Sequence, residues 1–377
     1  MSDTDTVVSI RDVELYFESE AGLLSAFTST EPPVRAVDGV SLDIPENDVV
    51  ALVGESGCGK TTLGKTAIGI HRPTGGEVLY RGQDIWKSKD KRGDVRIPFS
   101  EIRRALQIIH QDPSTSLNPN KTVKNTLSKS LEKLNPGMSV IEKRQRIHAL
   151  LGRVGMTPGE DYAKRFPHQL SGGEKQRVAL LRALLMNPDL ILADEAVSAL
   201  DVSLRIDMMD LMLELQAEVN TSFLFISHNL SNASYFAGGA NGRIGIMYLG
   251  ELVEFGPVEE VLNDPQHPYT KALIWATPNL DPDAEVDDEI PLRRIDVPDA
   301  QNPPSGCRFH TRCPEAKEIC REQPPELAES NDIDHAAACY RARSEDHPYW
   351  TSPGLPDVSD IEREDGTGIA EEEAASD

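Results

Sequence analysis

The stretch Gly54-Glu55-Ser56-Gly57-Cys58-Gly59-Lys60-Thr61-Thr62 constrains this chain more than any other segment. It fits G-x-x-x-x-G-K-[ST] and directly follows the apolar run Val49–Val53. A run apolar at every position suits a strand buried on both faces of a parallel sheet. Glycines let backbone N–H groups wrap a phosphate, and a helix starting at the lysine adds positive potential there. Lys60 is then placed to reach β- and γ-phosphates, and the Thr61 hydroxyl to ligate Mg²⁺. On this reading all nine residues line a nucleotide site, with Cys58 a small filler rather than a nucleophile.

The rest of the chain is consistent with an α/β sheet around that loop. Residues 7–17 alternate apolar and polar like a half-buried strand, and Ala36–Ile44 reads as a second one. Glu18–Val34 between them reads as a loop. Leu190–Ala193 and Phe223–Ile226 are short apolar runs ending in polar residues. A helical insertion is expected near 112–180, in which Val140, Ile147, Leu151 and Val154 share one face. The organisation expected is a nucleotide-binding domain over 1–277, an acidic Pro-rich linker over 278–304, a Cys-rich region over 305–345 and a disordered acidic tail over 346–377.

Charge narrows the function. The chain has 62 acidic and 38 basic residues, a net of −24, and Thr351–Asp377 carries only −8 of it. An acid-covered surface fits a high-salt cytoplasm and a halophilic source. It argues against a nucleic-acid partner, which calls for a basic footprint. No stretch approaches the roughly 18 apolar residues that span a bilayer, and the polar N-terminus lacks a secretory signal, so a cytoplasmic location is expected.

Leu170-Ser171-Gly172-Gly173-Glu174-Lys175-Gln176 resembles the signature sequence of ABC ATPases, and the remaining motifs of that family follow in order. By itself, Ser-Gly-Gly followed by Glu could simply cap a helix. The resemblance implies a P-loop NTPase fold of the ABC type, with a mixed core sheet, an antiparallel β-subdomain and a helical subdomain. It implies that Asp194, with Thr61 and Gln111, lies at the Mg²⁺ of ATP, that Glu195 is the general base and that His228 contacts the γ-phosphate. Phe17, or Tyr16 in the neighbouring register, matches the aromatic residue under adenine. Asp201 matches the D-loop, which crosses to a second ATPase subunit. Ser171, Gly172, Gly173, Glu174 and Gln176 are expected to act on the ATP of that partner, either another copy or a related chain. Ala196 and Asn229 stand where many relatives carry proline and aspartate.

Further residues resemble the oligopeptide and dipeptide importer branch, its F-type subunit in particular. They are Val34–Ser41, Thr62–Lys65, Gly250–Pro257 and His267-Pro268-Tyr269-Thr270-Lys271-Ala272-Leu273. The branch implies two permease subunits, an extracellular solute-binding protein and a peripheral position on the cytoplasmic face of the cell membrane. Members of it also carry sugars or nickel. A soluble ABC ATPase acting on nucleic acid or ribosomes is the rival reading, and the chain lacks the second ATPase unit or long insertions usual there.

Cys307, Cys313, Cys320 and Cys339 are separated by five, six and eighteen residues, without the paired C-x₂-C of common zinc modules. A disulfide framework does not suit a reducing compartment. Gly306–Pro314 resembles the C-terminal region of peptide-importer ATPases, where a [4Fe–4S] cluster is implied for some members. Cluster, Zn²⁺ and free buried thiols all remain open at this point.

Overall fold

The computed structural model describes residues 6–18, 32–277, 290–329 and 334–355. In chain order the strands are β1 (Thr6–Phe17), β2 (Val34–Pro45), β3 (Val49–Val53), β4 (Gly75–Tyr80), β5 (Gln83–Asp84) and β6 (Leu106–Ile109), then β7 (Leu190–Asp194), β8 (Ser222–Ser227), β9 (Arg243–Tyr248), β10 (Glu251–Pro257), β11 (Ala328–Glu329) and β12 (Ala336–Ala337). They form an antiparallel sheet in the order β2-β1-β4-β5 and a mixed sheet in the order β11-β12-β10-β9-β3-β8-β7-β6.

Strand alternation splits the core of the mixed sheet. Val49, Ala51, Val53, Phe223 and Phe225 face the layer that includes helices Val202–Val219 and Leu230–Gly239. Val50, Leu52, Leu224 and Ile226 face the antiparallel sheet and the Lys60–Ala67 helix. Each fully buried Val, Leu, Ile or Phe among these stabilises the fold by roughly 1.5–3 kcal/mol. The central strands β3, β6, β7, β8 and β9 run parallel, so their C-terminal ends open on one edge. That edge is where an open α/β sheet binds ligands.

The insertion between β6 and β7 holds helices Val123–Leu134, Val140–Arg153, Gly159–Lys164 and Gly172–Leu184. Ile147, Leu151 and Val154 are buried as their spacing predicts, but Val140 is 80% exposed. Val140 is the helix's first residue, where the Ser139–Glu142 capping box rather than packing fixes the chain.

Two boundaries differ from the sequence reading. Residues 278–289 lie outside the described residues, but 290–304 run along the protein without regular structure. Leu292 and Ala300 pack on the core there, and the Arg293 N–H donates to the Arg312 carbonyl at 2.8 Å. Likewise the tail expected from 346 begins with a packed segment: Tyr349 is 4% exposed and its hydroxyl donates to the Glu315 carbonyl. Its ring and the apolar Leu355 give this stretch something to bury; residues 356–377 lie outside the described residues, as does most of the Glu18–Val34 loop. The Cys-rich region joins the main sheet, because β12 pairs antiparallel with β10.

Candidate active site

The glycine-rich loop leaves β3 and enters the Lys60–Ala67 helix as the motif requires. At Gly54 (φ +157°) a Cβ would lie 2.1 Å from the Met247 carbonyl oxygen, and at Gly59 (φ +103°) one would lie 2.0 Å from that of Ala36. Only glycine fits where the loop threads so close to other backbone. Ser56 and Gly57 are exposed, whereas Cys58 is buried, its thiol pushed up by burial. The Lys60 ammonium donates to the Gly54 and Glu55 carbonyls at 2.7 and 2.9 Å, which holds it inside the loop.

The second set of groups sits at the ends of β7 and β8. The Thr61 hydroxyl donates to Asp194 Oδ1 at 2.7 Å, so two of the three residues expected at the Mg²⁺ are adjacent although 133 residues apart. Lys65 Nζ lies 3.6 Å from the other Asp194 oxygen. Glu195 has φ +50°, and its N–H donates to the Ile226 carbonyl on β8. This unusual backbone state places its carboxylate 3.4 Å from His228 Nδ1. Gln111 follows β6 with its side chain exposed. Its neighbour His110 is held below the usual histidine range by burial and by Lys65, with Asp194 opposing.

Two residues of the expected partner-facing set have other work. Gln176 is 1% exposed, and its amide donates to the Ala196 and His110 carbonyls at 2.6 and 3.2 Å. It ties the end of β7 to the end of β6 and cannot reach another subunit's nucleotide. Glu174 closes a capping box: its carboxylate accepts the Ser171 N–H at 2.7 Å, and its own N–H donates to Ser171 Oγ at 3.3 Å. The helix-cap reading of this segment is therefore correct, and it is compatible with a signature role. Ser171 stays exposed, and its hydroxyl proton remains free to donate. Gly172 is exposed and Gly173 half-buried beside it. Asp201 is exposed before the Val202–Val219 helix, next to exposed Val202, Leu204 and Ile206.

Tyr16 and Phe17 are separated by their partners. The Tyr16 hydroxyl donates to Asp38, whereas the Phe17 ring is 43% exposed, edge-on to His71 with centroids 6.1 Å apart.

The structure adds a set of contacts that sequence reasoning missed. Glu254, flanked in β10 by the apolar Leu252, Val253 and Phe255, is fully buried. Its carboxylate accepts the N–H groups of Gln266 and His267 at 2.7 and 2.9 Å and the Thr270 hydroxyl, with His335 Nε2 at 2.8 Å. The His-Pro-Tyr segment is thus a buried anchor rather than an ordinary turn. His267 Nδ1 caps its helix by accepting the Tyr269 N–H, and burial pushes its pKa down to about 4 despite the opposing Glu254. The Tyr269 hydroxyl accepts the Glu55 N–H at 2.9 Å. Arg312 donates to both Glu55 carboxylate oxygens at 2.9 Å. Glu55, expected to bind nucleotide, is therefore engaged by the C-terminal region through its N–H and its carboxylate.

The four C-terminal cysteines line one cavity of about 20 Å³ together with His267, Phe309 and Tyr349. Burial raises each thiol's pKa, that of Cys339 to about 11, and neighbouring cysteines add to the rise in Cys307, Cys313 and Cys339. Among the described residues, no three His, Cys, Asp or Glu side chains converge closely enough to hold a single metal ion. His310 turns its Nδ1 to the Cys307 carbonyl instead.

A phosphate loop on β3, two carboxylates ending β7, a histidine after β8 and a serine-capped signature helix define an ATP-hydrolysing cassette of the ABC class. A sequence profile described as "ABC transporter" matches residues 37–198, and one described as "Oligopeptide/dipeptide transporter, C-terminal region" matches 253–320. The chain is 41% identical to the oligopeptide transport ATP-binding protein AppF of Bacillus subtilis, over 90% of this chain and 98% of that one. It is 38% identical to OppF of Salmonella typhimurium, over 89% and 96%. The chain belongs to the family of oligopeptide and dipeptide transport ATP-binding proteins. Among solved structures it resembles the ATP-binding cassette MJ0796 bound to ADP and Pi, at TM-score 0.54 and 26% identity over 67% of this chain and 98% of that one. Its fold also matches cbiO1 of Clostridium perfringens, at TM-score 0.55 and 23% identity over 71% and 95%. No helix among the described residues is long and apolar enough to cross a membrane.

Proposed function

We propose that this ATPase energises the import of oligopeptides or dipeptides, docked on two permease subunits at the cytoplasmic face of the cell membrane and served by an extracellular solute-binding protein. The observation that carries the cargo class is similarity to peptide-transport relatives over nine-tenths of the chain. The His-Pro-Tyr anchor, which ties the C-terminal region to the phosphate loop through Tyr269, supports the assignment to that branch.

The chemistry follows from the positions above. Phe17 offers an exposed face to adenine, since Tyr16 is committed to Asp38. Thr61 and Asp194, with Gln111 as the third expected ligand, would hold the Mg²⁺ that accompanies ATP and offsets the β- and γ-phosphate charge. Lys60 swings from the loop carbonyls to the phosphates. Glu195 takes a proton from water as the water oxygen bonds to the γ-phosphorus. The bond to the bridging oxygen breaks, releasing ADP and phosphate. His228, beside Glu195, orients the carboxylate and contacts the γ-phosphate. Ser171, Gly172 and Gly173 complete the site of a second ATPase subunit, with Asp201 at that interface. A site shared between two subunits forms only on closure, which couples ATP binding to motion.

The four cysteines share one cavity, and thiolates are the donors that a [4Fe–4S] cluster or, as the alternative, Zn²⁺ takes. Cys307, Cys313, Cys320 and Cys339 would hold a [4Fe–4S] cluster, whose contribution there is structural or redox chemistry at a site next to the Tyr269 anchor.

The test is uptake of labelled dipeptides and tripeptides by cells carrying either the native chain or Glu195→Gln. Loss of uptake in the variant supports both the motor role and the cargo. Unchanged uptake removes peptides as the cargo and directs the search to sugars or nickel.

A further inference from the structure

We propose that Arg312 is a positioning residue for the phosphate loop, so that the C-terminal region sets how tightly this subunit binds the phosphates of ATP. The proposal rests on the nucleotide-site reading above and assigns the site a residue that lies beyond its motifs.

The argument starts from Glu55. Three of its groups are held: the carboxylate by Arg312, the N–H by the Tyr269 hydroxyl, and the carbonyl by the Lys60 ammonium. The peptide that carries Glu55 therefore fixes one resting contact of Lys60. Arg312 and Tyr269, 257 and 214 residues away in sequence, fix that peptide from the other side.

Arg312 is itself restrained. Its side chain is 5% exposed, with the guanidinium 5.7 and 5.6 Å from the centroids of the Tyr248 and Phe309 rings. Both terminal nitrogens donate to Glu55, in the parallel geometry that makes arginine–carboxylate pairs strong and directional. Lysine could supply the charge but not the fork. Four residues earlier, Arg308 pairs with Asp38 and with Glu251 and donates to the Leu249 carbonyl. Asp38 also accepts the Tyr16 hydroxyl, next to Phe17. The short segment between Cys307 and Cys313 thus carries two buried arginines. One grips the phosphate end of the site and the other the strand behind the adenine end.

A mere staple between domain and C-terminal region would affect melting but not the coupling between Arg312 and Glu55 in nucleotide affinity. The experiment is equilibrium titration of the full chain with a fluorescent ATP analogue, with thermal melting alongside. The variants are Arg312→Ala, Arg312→Lys, Glu55→Gln and the double Arg312→Ala/Glu55→Gln. Arg312→Ala should weaken binding about tenfold, the scale of one charge-assisted hydrogen bond. Arg312→Lys should recover only part of that loss, Glu55→Gln should weaken binding similarly, and the double variant should be no worse than the poorer single. Affinity within twofold of native in both Arg312→Lys and Glu55→Gln overturns the proposal. So does a double variant whose loss is the product of the single losses. If Arg312→Ala melts early, the Lys and Gln variants decide the matter. Lys60→Ala separates the two readings: native affinity in that variant refutes the nucleotide site, whereas loss there with neutral Arg312 variants refutes only the positioning role.

Discussion

Replacing Glu254 by Gln tests whether the His-Pro-Tyr anchor is held by a carboxylate. Four groups converge on the two oxygens, Gln266 N–H and His335 on one and His267 N–H and Thr270 O–H on the other. An amide of the same shape presents one oxygen and one NH₂. Whichever way it turns, its NH₂ meets a backbone N–H that must keep pointing inward. Thr270 or His335 can reverse its role, but a backbone N–H cannot. One buried donor is left without an acceptor, and the remaining bonds lose their charge assistance, which together cost about 2–3 kcal/mol. For a chain of this size that lowers the melting midpoint by roughly 3–5 °C. Melting of the full chain followed by circular dichroism reads the effect. A midpoint within 2 °C of native would show that Glu254 contributes no more than a surface carboxylate, and the account of the anchor would be wrong.

Three further outcomes follow from the site. Glu195→Gln should still bind ATP but hydrolyse it at least a hundredfold more slowly, as loss of a general base does, and full turnover would refute its assignment. His267, pushed to about pKa 4 by burial, is neutral in the fold, while the unfolded chain takes up its proton near 6.5. The unfolded state binds more protons between those values, so this group's stabilisation is full above about pH 6.5 and falls as pH drops, by about 2 kcal/mol at pH 5. His267→Asn, which can still cap Tyr269, should lose that part of the acid sensitivity in urea titrations at pH 7.5 and 5; an unaltered pH dependence would refute it. Cys313→Ser should lower bound iron after anaerobic purification, and equal iron in both proteins would remove Cys313 from the ligand set.

The legible part of the site is the part carried by short segments. Lys60, Asp194, Glu195 and His228 each follow closely on an apolar strand, and a parallel sheet brings those strand ends to one edge. The order of such segments is enough to predict the site. Contacts of Arg312 and Tyr269 with Glu55 span more than 200 residues, and no local pattern encodes them. One signal was available: Glu254 interrupts the apolar run of Leu252, Val253 and Phe255, and a charge inside a buried strand needs partners. The bounds of the linker and tail failed for the opposite reason. Acidic, Pro-rich composition describes average solvation, whereas a few apolar side chains such as Leu292 and Tyr349 decided where the chain packs.

Membership of a motif does not assign an atom its task; the bonds that the atom already makes do. Gln176 and Glu174 belong to the signature segment, yet one joins two strands and the other closes a helix cap. The same test applied to the phosphate loop narrows the cradle. The Glu55 N–H is taken by Tyr269, and the Cys58 N–H by the Glu55 carbonyl at 3.3 Å. The N–H groups of Lys60, Thr61 and Thr62 open the helix and have no intrahelical acceptor. Together with the N–H groups of Ser56, Gly57 and Gly59, which also have no backbone acceptor among the described residues, these three can converge on a phosphate. On the proposed reading the anion site lies at the helix end of the loop, while its strand end is occupied by the C-terminal region. A loop divided into a ligand half and an anchored half is how a contact from Arg312 would bear on ATP without touching it.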